Sequence, residues 1–137
     1  MMVNQDIVKY RQAEKSFLKQ DYHQAAQQMA SSITAGGADS AKLNLLGDIY
    51  MALEKYDRAL LAYADLSSMV PEDLNVLIKL ADAYSLAGQT DMALEFMAKV
   101  LEQRPEFRTA LLWKARILSR DQRFSQAIDL YYQALGD

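Results

Sequence analysis

The sequence predicts an all-α protein built from paired helices, and three observations carry that prediction. A pattern of small and large apolar residues recurs every 34 residues without an insertion. Both prolines and the Gly36-Gly37 pair fall where the pattern breaks. The 137 residues are 51% hydrophobic and 24% charged with only five glycines, a balance that suits a folded core and is too apolar for disorder. The length matches a single domain, 1–137.

The copies justify their elements in chain order. Residues 6–39 carry Lys9, Gln12, Ala13, Ser16, Ala25, Met29, Ser32 and Gly37 at offsets four, seven, eight, eleven, twenty, twenty-four, twenty-seven and thirty-two. Residues 40–73 place Leu43, Leu46, Gly47, Tyr50, Ala59, Tyr63, Leu66 and Pro71 at the same offsets, and residues 74–107 place Leu77, Leu80, Ala81, Tyr84, Ala93, Met97, Val100 and Pro105 there. The last copy, 108–137, has Leu111, Lys114, Ala115, Leu118, Ala127, Tyr131 and Ala134. Each copy therefore reads as a helix pair. First helices are expected at about 6–19, 40–53, 74–87 and 108–121, and second helices at about 22–35, 56–69, 90–103 and 124–135. Ala13, Gly47, Ala81 and Ala115 on the first helices face Ala25, Ala59, Ala93 and Ala127 on the second, so the two backbones pack closely. Pro71 and Pro105 stop the second helices, and Gly88 marks the turn inside the third pair.

Residues of these types at these offsets resemble the tetratricopeptide repeat, over residues 6 to 137. The departures are Lys114 and the first copy, which keeps the small residues and loses most of the large ones. The resemblance implies a right-handed superhelical stack of four antiparallel helix pairs. Its concave wall would be built mainly by first-helix residues at offsets two, five, six, nine, twelve and thirteen.

On that wall, offset nine holds Glu14, Asp48 and Asp82 and then Arg116, a ladder of three carboxylates ending in a cation. Tyr10, Phe17, Leu18, Met51, Ile78, Leu86, Leu112 and Trp113 would supply apolar anchors, and Asn44 and Asn75 would hydrogen-bond an extended backbone. Such a wall suits a basic or apolar segment of another protein. The variant in which relatives clamp acidic chaperone tails needs lysine, asparagine and arginine; this chain has Tyr10 and Glu14, or Asn44 and Asp48, at its starting positions.

The fourth copy is the basic one, with Arg108, Lys114, Arg116, Arg120 and Arg123 offered to an acidic surface. On its second helix, Ile128, Tyr131, Ala134 and Leu135 form an apolar face without a polar cap, a candidate face for assembly into a homo-oligomer.

Other classes of function are disfavoured. With no cysteine there is no thiolate zinc site or cysteine nucleophile, and the single histidine, His23, reads as a surface residue. A net charge of −3 with a pI near 5.1 provides no field for nucleic acid. The start of the chain lacks a secretion leader, and no stretch approaches the roughly 20 apolar residues of a membrane span. The expectation is a cytoplasmic, non-enzymatic protein without cofactor or metal. It would act as an adaptor or chaperone that binds a peptide or helix, or alternatively as a self-assembling scaffold.

Overall fold

The computed structural model describes residues 4–136; Met1–Val3, part of the segment on which the leader expectation rests, and Asp137 lie outside the described residues. Among the described residues the chain forms eight α-helices and no strand: α1 (Gln5–Leu18), α2 (Tyr22–Gly36), α3 (Ser40–Ala52), α4 (Tyr56–Met69), α5 (Leu74–Leu86), α6 (Thr90–Gln103), α7 (Arg108–Arg120) and α8 (Phe124–Leu135). Every expected boundary lies within one residue of the observed one.

The same chemistry shapes each copy. Three of the first helices begin at a side-chain cap: Asn4, Asp39 and Asp73 accept the backbone N–H groups of Asp6, Lys42 and Asn75 at 3.1, 2.8 and 3.0 Å. All four first helices end in one hydrogen-bonded motif. The N–H groups of Asp21, Lys55, Gln89 and Arg123 each reach back to the carbonyls of Ser16, Tyr50, Tyr84 and Leu118 at 2.9 Å. The preceding residue in each motif is left-handed: Gln20 (φ 64°), Glu54 (59°), Gly88 (84°) and Gln122 (64°). Only one of these four turns carries the glycine that marks it in the sequence.

The helices contact one another in two compact units, residues 1–70 and 71–137. In the first, α1 pairs with α2 and α3 with α4, and the first pair rests on α3. Ala13, Ala25 and Ala59 are fully buried, as the small-residue register requires. Ala13, Ala25, Met29 and Ile49 form one core cluster, edged by Tyr10, Phe17, Leu46 and Leu53. Burying a side chain such as Met29 contributes about 1.5–3 kcal/mol. Where the second and third copies bury Leu66 and Val100, the first has Ser32, which belongs to a polar knot. Lys42 is 4% exposed; its ammonium pairs with the Asp6 carboxylate and donates to the Gly37 and Ser32 carbonyls at 2.8 and 3.4 Å. The buried Ser32 hydroxyl lies 2.8 Å from both the backbone oxygen and a carboxylate oxygen of Asp6. A buried ammonium is tolerated only with such partners.

In the second unit α5 pairs with α6 and α7 with α8, and the α5–α6 pair rests on α7. Its core holds Ile78, Ala81, Ala93, Met97, Val100, Ala110 and Ile117, with Tyr84 stacked on Phe96 at 5.5 Å between ring centroids. Ala115, Leu118 and Ala127 close the α7–α8 seam.

Candidate functional site

In the first unit, α1 and α3 leave an open hollow of about 280 Å³, lined by Tyr10, Glu14, Phe17 and Leu18 from one helix and Ala41, Asn44 and Leu45 from the other. The lining follows from helical spacing. Tyr10, Glu14 and Phe17 stand four and three residues apart, so they share a stripe of α1, and Ala41, Asn44 and Leu45 do the same on α3. All seven fall at the offsets that the repeat pattern gives for the wall. Five of them, Tyr10, Glu14, Phe17, Leu18 and Asn44, were named from the sequence; Ala41 and Leu45, at offsets two and six, were marked only by position. Leu18 projects at the rim, 81% exposed.

Glu14 is the one charged residue on the lining of the hollow. Burial first, and then the charges of Glu14 and Asp39, push the Tyr10 hydroxyl above its usual pKa, with Arg11 pulling it back. Phe17 meets Tyr22 at a tilted 5.6 Å, which fixes its ring beside the hollow.

The other wall residues are placed differently. Asp48 accepts a hydrogen bond from the Tyr63 hydroxyl of α4, so its carboxylate is drawn toward the core of its own unit. Asp82 pairs with Arg120 at 2.7 Å, and the same guanidinium nitrogen reaches Ser85 at 3.3 Å. The ladder of three carboxylates therefore does not stand open along its length. Ile78, expected on the wall, is a correction: it is 4% exposed inside the second core, because α6 and α7 close over that side of α5. Met51 is half-buried and Asn75 exposed. Leu112 is 38% exposed, and Arg116 stacks over Trp113 at 4.5 Å. Of the basic residues of the fourth copy, Arg120 is committed to Asp82, and Arg123 pairs with Asp121 at 2.8 Å.

On α8, Ile128, Tyr131 and Leu135 are 52, 37 and 66% exposed. At the same register in α6, Leu94, Met97 and Leu101 are packed into the core beneath α7. Among the described residues no group of acidic or histidine side chains is arranged to hold a metal, and no helix is long and apolar enough to cross a membrane.

Comparison with known proteins agrees with this architecture. The family model described as tetratricopeptide repeat matches residues 50–117. The human protein named tetratricopeptide repeat protein 21A is 35% identical over 86 residues, 63% of this chain, and its mouse counterpart is 34% identical over 90 residues. The chain spans only 6% and 7% of the length of those two relatives. Among solved structures, YrrB, described as a TPR protein with an unusual peptide-binding site, superposes with a TM-score of 0.80 at 19% identity, over 95% of this chain and 67% of that one. MamA from Desulfovibrio magneticus gives 0.83 at 16% identity, over 95% and 73%. A tetratricopeptide repeat protein from Parabacteroides merdae gives 0.79 at 21% identity, over 96% and 52%. Phased helix pairs and these likenesses define an all-α helical-repeat protein. The chain belongs to the tetratricopeptide repeat family.

Proposed function

We propose that the chain is a non-enzymatic binding module that holds a segment of another protein against the α1–α3 wall, in the manner of an adaptor or chaperone. The hollow between those helices carries the reading: apolar anchors beside a few polar groups, on rigid helices, are what captures a peptide. The description of YrrB as peptide-binding supports it. Selection of a displayed random-peptide library against the chain tests it. Selected peptides are expected to perturb the backbone amides of residues 10–18 and 41–45. Ala41→Phe, which fills the hollow from an exposed position, is expected to weaken them at least tenfold with helicity unchanged. A library without enrichment, or binding indifferent to Ala41→Phe, would refute the proposal.

A second reading, self-assembly through α8, is favoured by the exposure of Ile128, Tyr131 and Leu135 at a register that α6 buries. It predicts concentration-dependent oligomers in sedimentation that Ile128→Glu with Tyr131→Glu abolishes. A monomer at all concentrations would end it.

A further inference from the structure

Of the three carboxylates at offset nine, two are already engaged within the chain. Asp48 accepts from Tyr63 and Asp82 pairs with Arg120. Glu14 makes neither a side-chain hydrogen bond nor an ion pair among the described residues, and it stands on the lining of the hollow between the rings of Tyr10 and Phe17. An uncompensated carboxylate beside two aromatic rings is a site for a cation. It supplies charge-assisted hydrogen bonds to the head group, while the ring faces and Leu45 receive the stem.

The chain places cations over rings elsewhere, Lys99 over Phe96 at 4.7 Å among them, and more of these cations are arginines. Arg104 lies over Phe107 at 4.2 Å and Arg116 over Trp113 at 4.5 Å. No cation of the chain lies over Tyr10 or Phe17 among the described residues. The volume of about 280 Å³ leaves room for a long side chain. Guanidinium is planar and more weakly hydrated than ammonium, so it stacks on a ring and sheds water at smaller cost than lysine.

We infer that the α1–α3 hollow is an arginine pocket, in which Glu14 takes the guanidinium of the bound segment and Tyr10 and Phe17 flank it. This rests on the reading that the α1–α3 wall holds a peptide, and it makes position 14 the determinant of which peptides are held. Neighbouring apolar residues of the segment meet Leu18 and Leu45.

The test uses peptides selected on the whole chain and resynthesised with citrulline, a neutral near-isostere, in place of each arginine. Selected sequences are expected to carry arginine, and citrulline at one position is expected to weaken binding about tenfold, equivalent to about 1.4 kcal/mol. Glu14→Gln is expected to equalise the arginine and citrulline peptides while Ala41→Phe still abolishes both, and lysine is expected to bind between the two. Peptides that depend on Ala41 yet lack a cation, or an arginine preference that survives Glu14→Gln, overturn the arginine pocket and leave the peptide-binding wall standing. A library that yields no peptide overturns both.

Discussion

Replacing Gly47 by alanine separates packing from helix propensity, because the two predict opposite signs. Gly47 sits in the middle of α3, where alanine is intrinsically better by about 1 kcal/mol. Its missing side chain, however, is what admits the Tyr63 ring: an alanine Cβ would lie within 2.7 Å of Cε1, Cδ1 and Cζ of that ring. This is about 1 Å inside the optimum of 3.5–4.0 Å between carbons. Tyr63 is 2% exposed and its hydroxyl is tied to Asp48, so the ring has no solvent-side escape. Overpacking costs about 1–3 kcal/mol, and displacing the ring from a charged acceptor about 1.5–3 kcal/mol more. After the helix gain is subtracted, Gly47→Ala is expected to destabilise by about 1.5–5 kcal/mol. Urea unfolding followed by ellipticity would show the midpoint falling by about 0.8–2.5 M for a slope near 2 kcal/mol/M. Other copies supply the compensating pair: Ala13 shares a cluster with Met29, and Ala81 with Met97, both methionines fully buried. Gly47→Ala with Tyr63→Met should therefore lose less than the sum of its single changes, with a coupling of about 1–2 kcal/mol. A single variant as stable as the parent, or strict additivity, would refute the reasoning.

Three other outcomes follow from the structure. Gly88→Ala meets no atom within 4 Å, so its cost is conformational alone; a left-handed alanine loses about 0.5–1 kcal/mol once the unfolded-state gain is included, again read by urea. The hydrogen bond from Lys42, then that from Ser32, holds the Asp6 carboxyl below its usual value against desolvation. Its folded pKa is depressed, so its contribution is present above the unfolded value of about 3.9 and is lost as pH falls through the lower folded value. Stability measured from pH 5 down to pH 2 should fall less steeply in Asp6→Asn than in the parent, and parallel profiles would contradict the assignment. Finally, Trp113 is the single tryptophan and lies in the second unit. The expectation of one domain over 1–137 requires its fluorescence midpoint in urea to coincide with that of ellipticity, whereas two midpoints would make the units separate folding domains.

Helix positions were legible because a period of 34 repeats both the small contact residues and the stop signals, and neither depends on distant partners. Lining positions of the hollow were legible for the same reason: offset along a helix fixes the angle at which a side chain leaves it. Depth is not fixed that way. Ile78 and Leu112 share offset five, yet one is 4% and the other 38% exposed, because neighbouring helices cover them differently. The engagement of Asp82 by Arg120 joins side chains of two copies, 38 residues apart, and that of Asp48 by Tyr63 joins two helices of one copy; offsets alone encode neither hydrogen bond. The left-handed turns at Gln20, Glu54 and Gln122 were hidden because glycine was the only available sign and just Gly88 carries it. The Asp6–Ser32–Lys42 knot was hidden because Asp6 and Lys42 stand at offsets the pattern does not record, and Ser32 reads there merely as a lost apolar residue.

The unequal use of the offset-nine carboxylates has an evolutionary consequence. Asp48 and Asp82 serve as internal braces, so drift at either position weakens the scaffold before it alters any preference for ligands. Glu14 has no brace to lose. Selection can change the charge at that one site, and with it the partner that the proposed arginine pocket would take, while the rest of the scaffold stays as it is.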